Sequence, residues 1–531
     1  MDIRLTAILS LSETAAWTAI SYQKLRAVPT IAFVNQFLLY FAVQYSILKF
    51  YRVVVYSHFV SPTRNIPSPK DNHPLIGQFG KLLTSPSPLE HYLKWHEQWP
   101  REPFVRYLTF GNLEMLQVNT PEAFKEVLQT HAYSFKKPDL LYRLVGDFMG
   151  NGLGFVEGAE HKRQRRVLNE ALALSNLRNI FPVFQNKAEQ LTEFFDEKIG
   201  GDKESVVDFV DCCWRWGLDT AGVTILGVEL GHLLVTDDPK WNFLACYRRV
   251  LSPPKLSAVI SFVNTAVPVR MFLPIEANLG YLRAARQLKE MMRQVVRQRI
   301  KDIGNDGQDE GNSRDLLSMM IEVGRTGYNG TKEEFSEENL VDQSLTFLGA
   351  GHETVAGMMV WSAYVLGTRQ ASPTWEDIDR LHYLDNFCKE VLRVYCPALH
   401  LSREALTDLT ICGVFIPKGT LLMILRAVAN LSKAVWGPDA DKFIPERWDN
   451  LTGGAASPYA FQSFLTGPRI CIGRTFGFME AKANLVEVLS KFRLSESPEL
   501  EALGGRPPPL KNPTITLLLR DGRMPVKLER I

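Results

Sequence analysis

The segment FLTGPRICIG, residues Phe464–Gly473, decides how the rest of this sequence is interpreted. It fits the pattern Phe-x-x-Gly-x-Arg-x-Cys-x-Gly at every fixed position. Cysteine ligates a metal only as the thiolate, and a helix predicted just after Cys471 brings backbone N–H groups and a positive dipole end near its sulfur. Gly467 suits a tight turn, and Gly473 keeps bulk away from the sulfur. The segment therefore predicts a metal-binding thiolate at Cys471; the alternative is a buried structural cysteine in a loop.

A second segment, FLGAGHET at Phe347–Thr354, lies in the middle of a long predicted helix. Ala350 and Thr354 are one helical turn apart and share a face. The small residues Ala350 and Gly351 leave room for a ligand and allow local opening of the helix. Glu353 and Thr354 form an acid–alcohol pair of the kind that moves protons through water. The alternative is a notch for helix packing with a solvated glutamate.

With these segments in this order, the chain resembles a cytochrome P-450 from about Pro67 to the C-terminus. The resemblance implies haem b with the Cys471 thiolate as axial iron ligand, which favours O–O cleavage. It also implies O2 and NADPH-derived electrons as co-substrates. Phe464 is then an apolar wall, and Arg469 pairs with a haem propionate. The further residues that the resemblance assigns to the haem are Gly467, Gly473, Ala350 and Gly351, and those assigned to catalysis are Glu353 and Thr354.

The segment HKRQRRVLNEAL begins at His161. The family commonly has Trp-x-x-x-Arg here, with both residues on the haem propionates. Arg165 matches the arginine, whereas His161 stands where tryptophan is usual. Arg403, shortly before a strand-like piece, also resembles a propionate partner.

A charged cluster is predicted from EVLR and FIPERW, which supply Glu390, Arg393 and Arg447. Glu390 and Arg393 lie three residues apart and so share a helical face. A buried glutamate between two arginines makes charge in a core tolerable. The triad resembles the family's structural lock behind the haem, and we expect it to act as scaffold.

Periodicity predicts a mainly α-helical fold with smaller β-sheets. Helical patterns run over 281–301 and from a cap at Ser336 to about Leu366, and strand-like pieces cover 409–415 and 514–519. We predict an N-terminal segment at 1–27, a transmembrane anchor at 28–58, a proline-rich hinge at 59–75 and a single large catalytic domain at 76–531.

The predicted anchor contains an uncharged apolar run from Ile31 to Leu48. About 20 such residues span a bilayer; the alternative is a buried helix. The basic residues just after the run are Lys49, Arg52, Arg64 and Lys70, and those before it are Arg4, Lys24 and Arg26. The positive-inside rule then favours a cytosolic C-terminal side. We expect a single-pass protein of the endoplasmic reticulum membrane with a cytosolic catalytic domain.

The net charge of the chain and the spacing of its cysteines argue against several classes of binding partner. A formal net charge of +2 over 531 residues argues against nucleic acid. The seven cysteines include no Cys-x-x-Cys pair, which argues against structural zinc and indicates a reducing compartment. Since no dinucleotide or phosphate-loop motif occurs, an NADPH–cytochrome P-450 reductase is expected to supply electrons. The basic residues Lys162, Arg163 and Arg166 form either a docking patch for that reductase or a solvated helix face.

The substrate is expected to be a lipophilic small molecule in a closed apolar pocket. By family analogy the lining residues are Phe347, Leu348, Ala398, Leu399 and His400. The apolar stretch 257–274 is predicted either to touch membrane lipid and admit substrate or to be a buried connector. The pattern resembles fungal microsomal enzymes of secondary metabolism, which implies a terpenoid, polyketide or alkaloid. The rival functions are a haem-thiolate isomerase or dehydratase without O2 activation, and a non-enzymatic haem sensor or binding protein.

Overall fold

The computed structural model describes residues 2–25, 30–233, 242–251, 253–266, 269–305, 315–326, 335–368, 382–504, 506–511, 516–517 and 519–531. Most of these residues are helical. The α-helices are α1 (Asp2–Leu25), α2 (Thr30–Phe50), α3 (Phe79–Thr84), α4 (Glu90–Gln98), α5 (Pro121–Lys125), α6 (Asp139–Met149), α7 (Gly158–Ala171), α8 (Leu174–Ile199), α9 (Phe209–Ala221), α10 (Phe243–Leu251), α11 (Lys255–Ala266), α12 (Glu276–Asn305), α13 (Leu316–Thr326), α14 (Glu337–Gly367), α15 (His382–Val394), α16 (Arg426–Asn430), α17 (Lys433–Trp436), α18 (Arg474–Lys491) and α19 (Pro498–Glu501).

The strands are short and form three small sheets in the described part of the chain. They are β1 (Phe104–Leu108), β2 (Glu114–Val118), β3 (Phe135–Lys136), β4 (Glu204–Asp208), β5 (His400–Ala405), β6 (Leu409–Ile411), β7 (Val414–Ile416), β8 (Leu421–Leu425), β9 (Phe492–Glu496) and β10 (Pro525–Arg530). The largest sheet has the order β1-β2-β8-β5-β3, and the others are β4-β10-β9 and the pair β6-β7. β2 and β8 are parallel, whereas the other paired strands are antiparallel. The predicted mainly helical fold with small sheets is confirmed.

Helix α14 crosses the centre of the molecule. The Ser336 hydroxyl accepts a hydrogen bond from the Asn339 N–H at 3.2 Å and caps the helix, while Glu337 and Glu338 in the first turn complement its dipole. Its 31 residues span about 46 Å at about 1.5 Å per residue. Most of them are buried, mainly against α9 and α12. The predicted capped, core-crossing helix is confirmed.

Helix α18 fixes the position of the cysteine segment relative to α14. It begins at Arg474, with Gly473 as its N-cap residue. A Cβ atom on Gly477 would lie 3.5 Å from Val355 of α14, so the two helices pack closely there. The Phe476 ring also contacts the Phe184 ring of α8 edge-on, at 5.0 Å between centroids. Cys471 therefore lies just before the crossing of α18 with the middle of α14.

The strand-like piece predicted at 409–415 is not one strand but the hairpin β6-β7. Its turn contains Cys412 and Gly413 at φ angles of 48° and 77°. Positive φ at both central residues is the geometry of a tight hairpin turn. The Glu126 carboxylate accepts a hydrogen bond from the Cys412 N–H at 2.9 Å and holds this turn. The predicted strand at 514–519 lies partly outside the described residues; within it, Thr516 forms an isolated bridge with Ala398.

Helix α2 continues as a π-helix over Tyr51–Val60, so that residues 30–60 form one rod. Within the described chain, this is the one helix long and apolar enough to cross a membrane on its own, and its apolar window is not buried. The far end of the rod contacts the body: the Asn112 side chain donates to the Val53 carbonyl at 2.7 Å, and Ser57 donates to the Asn112 carbonyl at 3.0 Å. The rod therefore ends against the loop between β1 and β2.

Candidate active site

The cysteine segment forms a tight loop. The Cys471 N–H donates to the Phe464 carbonyl at 2.8 Å, and Leu465 and Gly467 have φ angles of 60° and 73°. A Cβ atom on Gly467 would lie 2.2 Å from the Leu128 carbonyl oxygen, so this position requires glycine. The loop thus follows from the fixed glycine of the motif.

Cys471 differs from the other six cysteines, because it alone is exposed. Protein atoms nevertheless surround its sulfur. Burial raises the pKa of the Cys471 thiol, while the Gly473 N–H and the positive charges of Arg426, Arg165 and Arg474 oppose this rise. N–H groups and cations around a sulfur stabilise its anionic form. The surroundings of Cys471 therefore suit a thiolate that ligates a cation.

The middle of α14 opens at the predicted notch. Ala350 is exposed, although the ten residues before it are buried or nearly so. The Thr354 hydroxyl donates to the Ala350 carbonyl at 2.7 Å, one turn away. A Cβ atom on Gly351 would meet the Ile225 side chain at 3.2 Å. Gly351 thus allows α14 to pack closely against Ile225, while Ala350 and Thr354 face open space.

Glu353 points to a different side of α14. Its carboxylate accepts a hydrogen bond from the Thr516 hydroxyl at 2.8 Å. Burial raises the pKa of Glu353, and the Thr516 hydrogen bond and the Lys511 charge oppose this only in part. A raised pKa keeps a larger fraction of the carboxyl protonated at neutral pH, which suits a proton donor.

Glu353 lines a cavity of about 600 Å³, together with Lys511, Thr516 and Trp214. Arg248 and Arg520 also line it, and both are exposed. The cavity therefore connects the Glu353 carboxyl with solvent. Cys471 and Ala350 do not line this cavity, so it is separate from the open space beside the cysteine.

Arg469 lies in a buried cluster of cations. Its guanidinium forms an ion pair with Glu157, while its Nε and Nη1 atoms are buried and have no partner within the described chain. The Lys137 ammonium also binds Glu157, at 3.1 Å, and burial lowers the pKa of Lys137 to about 8. Arg403 is buried too, and its pKa is lowered to about 10 by burial and by the nearby Arg469. Three cations thus share one carboxylate.

His161 joins this cluster. Its Nδ1 atom lies 3.2 Å from the Tyr133 hydroxyl. Burial and the charges of Arg469 and Lys137 lower the pKa of His161 to about 4, so the imidazole is neutral at pH 7. Its partner in the motif, Arg165, donates to the Ile470 carbonyl at 2.6 Å and thereby contacts the cysteine loop directly.

The predicted lock residues come together. Glu390 and Arg393 have no exposed side-chain surface and pair at 2.8 Å, and Arg447 binds the same carboxylate at 2.9 Å. The Glu390 carboxylate also accepts from the Trp448 indole N–H and the Ile444 N–H, both at 2.9 Å. Every lone pair of this buried carboxylate therefore has a donor nearby, as a buried charge requires.

The five predicted pocket residues differ in exposure. Leu348 and Leu399 are fully buried within hydrophobic clusters. Ala398 and His400 retain accessible surface, and Phe347 lies at the border of burial. Phe347 is one turn of helix from Ala350 and Gly351, and so shares their face.

Four functional candidates carried no sequence signal: Lys137, Glu157, Lys511 and Thr516. Lys137 and Glu157 matter only because the fold brings them to Arg469, more than 300 residues later in the chain. Thr516 reaches Glu353 across a separation of 163 residues. No local pattern distinguishes such residues from ordinary surface ones.

Three observations indicate that the residues present at this site fit a haem group. The Cys471 thiol is exposed just before α18, which packs at Gly477 against Val355 of α14, and Ala350 in the same part of α14 is exposed. Two nitrogen atoms of Arg469 are buried without partners in the described residues, at a cost of about 1–3 kcal/mol for such a group. Among the described residues, Glu157 is the carboxylate that binds Arg469 and Lys137 and whose charge acts on Arg403. Two propionates are the kind of anion that would balance this excess of positive charge.

Comparisons with known proteins agree with this geometry. The cytochrome P450 family model matches residues 67–370 and 363–518. The chain is 31% identical to cytochrome P450 monooxygenase sphH of Aspergillus fumigatus, over 89% of this chain and 88% of that protein. It is 28% identical to cytochrome P450 monooxygenase buaD of Petromyces alliaceus (73% and 75% covered) and 27% identical to cytochrome P450 3A29 of Sus scrofa (90% and 96%). With this coverage and the Cys471 loop in place, the chain belongs to the cytochrome P450 family and is a monooxygenase of that family.

Proposed function

We propose that this enzyme inserts one oxygen atom of O2 into a lipophilic small molecule, by hydroxylation, epoxidation or a multi-step oxidation. The observation that carries the proposal is the exposed Cys471 thiol just before α18, the helix that packs at Gly477 against Val355 of α14, next to Thr354. Haem b bound through this thiolate supplies the activation of O2. Arg403, Arg469 and His161 would hold its propionates.

In this proposal Glu353 and Thr354 deliver protons. The Glu353 carboxyl contacts the solvent-connected cavity, and its raised pKa favours the acid form. The Thr354 hydroxyl donates to the Ala350 carbonyl at 2.7 Å; by rotating, it can pass a proton toward the open side of the notch. Thr516 orients the Glu353 carboxyl through their 2.8 Å hydrogen bond.

We expect Thr354→Ala to lower product formed per NADPH by about tenfold or more, because a positioned proton donor contributes factors of about 10² to 10⁴. NADPH consumption should continue and hydrogen peroxide should accumulate. The measurement is product, peroxide and NADPH in membranes that contain the enzyme and an NADPH–cytochrome P-450 reductase.

The matched control is Thr354→Ser, which keeps the hydroxyl and should keep most of the coupling. Omitting the reductase should abolish turnover in both variants, as expected for a chain without a dinucleotide motif. Unchanged product yield in Thr354→Ala would contradict the proton-delivery role. Product formed without consumption of NADPH would instead favour a haem-thiolate isomerase or dehydratase, and haem binding without any product would favour a haem sensor.

The proposed substrate is a secondary metabolite such as a terpenoid, polyketide or alkaloid. Relatives from Aspergillus fumigatus and Petromyces alliaceus support a fungal type of enzyme. Phe347, Ala398 and His400 are the proposed pocket residues with accessible surface, whereas Leu348 and Leu399 would support the pocket wall from the core.

We place the enzyme at the endoplasmic reticulum membrane with residues 76–531 as a cytosolic catalytic domain, behind the anchor at 28–58 and the hinge at 59–75. Support comes from the rod 30–60 and from a second apolar surface on α11. Leu256, Val259 and Val263 of α11 are exposed, and their spacing puts them on one helical face. Phe272 just after α11 is 75% exposed, as is typical of a residue that contacts lipid.

Serine substitutions at Leu256, Val259, Val263 and Phe272 should therefore weaken membrane binding of a truncated form that begins at residue 61. Each buried apolar side chain contributes about 1.5–3 kcal/mol, so the bound fraction should fall by at least tenfold. Co-sedimentation with phospholipid vesicles measures this. Phe415→Ser, at an exposed residue of β7, is the control, and equal partitioning of all variants would make 257–274 an ordinary surface segment.

A further inference from the structure

The N-terminal helix α1 packs along α2. Ser10 donates to the Gln44 side chain at 3.2 Å, and the Gln44 amide donates to Glu13. Residues near 10–13 therefore lie opposite residue 44, which means that the two helices run antiparallel. If α2 crosses the bilayer, α1 lies beside it over the same depth.

The burial pattern of α1 is inverted relative to a helix on a water-soluble protein. Thr6, Ser10 and Thr14 are buried against α2, with at most 4% exposed. Most outward side chains are apolar, and the large ones among them are Ile8, Leu9, Leu11, Ile20 and Tyr22; the polar exceptions are Ser12 and Glu13. Small polar residues between helices and apolar residues outside are typical of helix pairs in lipid.

The hydroxyl groups of α1 are compatible with a lipid environment. Thr14 donates to the Ser10 carbonyl at 2.7 Å and Thr18 to the Thr14 carbonyl at 2.8 Å. Ser12 donates to the Leu9 carbonyl at 2.7 Å. Such bonds inside the helix leave few polar groups for hydrocarbon to solvate.

The lengths of the two helices and the few charges on α1 also fit a pair of membrane-spanning helices. The 24 residues of α1 and the 21 residues of α2 span about 36 and 32 Å, against a hydrocarbon core of about 30 Å. Between residues 5 and 23 the one charged side chain is Glu13, which is the residue that Gln44 contacts. A polar partner lowers the cost of a carboxyl group at this depth.

We infer that α1 and α2 form a transmembrane hairpin, so that the chain crosses the membrane twice and its N-terminus lies on the same side as the catalytic domain. This replaces the single crossing expected from the sequence. The hairpin also improves the charge distribution: Arg4 joins Lys49 and Arg52 on the cytosolic side, leaving Lys24 and Arg26 opposite, in keeping with the positive-inside rule.

The test is protease accessibility in sealed microsomes of the full-length chain, with an epitope tag either at the N-terminus or between Arg26 and Pro29. We expect the N-terminal tag to be digested and the internal tag to be protected. Protection of both tags would mean a single crossing with α1 on the far side, and digestion of both would mean that neither helix crosses. Either result overturns the inference.

Pairing of the helices is tested separately by cysteine cross-linking in the same membranes. The double variant Ser10→Cys/Gln44→Cys should react with a short thiol–thiol cross-linker, which prevents separation of fragments after cleavage between the helices. Leu11→Cys/Gln44→Cys is the control, because Leu11 is 53% exposed on the outer face. Equal or absent cross-linking in the two variants would contradict the hairpin. The haem spectrum of these membranes reports the catalytic domain independently.

Discussion

Replacing Cys471 by alanine should abolish the strongly red-shifted Soret band in the reduced carbon-monoxide difference spectrum. The resemblance to the family implies this band for a thiolate-ligated haem, and Cys471 is the one exposed cysteine. We expect the loss to be complete, because the thiolate is the ligand that gives the iron its electronic character. Monooxygenase turnover should fall to background in the same preparation.

The matched control is Cys412→Ala. Cys412 is half-buried in the β6-β7 turn, where the Glu126 carboxylate accepts a hydrogen bond from its N–H, and it lies outside the Phe464–Gly473 segment. Its removal should leave the band unchanged. A red-shifted band that survives in Cys471→Ala would mean that another group ligates the iron, and the roles assigned around Cys471 would then be withdrawn.

Glu390→Gln should destabilise the folded enzyme by about 3–5 kcal/mol, the usual cost of removing one partner from a buried ion pair. The carboxylate binds Arg393 and Arg447 with no exposed surface of its own. The amide keeps the shape but leaves the fully buried Arg393 guanidinium without its counter-charge, while Arg447 retains Asp439 at 3.3 Å. We expect a large drop in the denaturation midpoint of solubilised protein and a loss of haem-containing enzyme.

Glu97→Gln provides the comparison. Glu97 also pairs with a cation, Lys433 at 3.4 Å, but both side chains are about half exposed. Such surface pairs contribute about 0–1 kcal/mol. A shift for Glu390→Gln no larger than that for Glu97→Gln would show that the triad is not a structural lock.

The features that could be predicted from the sequence are those set by residues close together in the chain. The cysteine loop depends on glycine at 467, because a Cβ atom there would strike the Leu128 carbonyl, and the cap of α14 depends on Ser336. Both are visible as residue types at fixed spacing. The Glu390–Arg393 pair was predictable for the same reason, since the two residues share one helical turn.

Long-range contacts were not predictable in this way. The cation cluster needs Lys137 and Glu157 near Arg469, and the proposed proton path needs Thr516 near Glu353. These pairs are set by how helices and loops pack, which no pattern within a short window encodes. The prediction of a single strand at 409–415 was wrong for a local reason. The chain turns at Cys412, which adopts a positive φ angle, and this is uncommon for a residue other than glycine.

The rigid connection between anchor and body has a consequence for how the enzyme meets its substrate. Asn112 holds the end of the rod 30–60 through Val53, and its amide also donates to the Pro74 carbonyl at 2.6 Å. On the proposed membrane placement, a body held in this way would keep its height and tilt above the bilayer instead of turning freely on a tether. The α11 surface would then meet lipid continuously, and the enzyme would sample compounds dissolved in the bilayer, where a lipophilic molecule is concentrated, rather than those dilute in water.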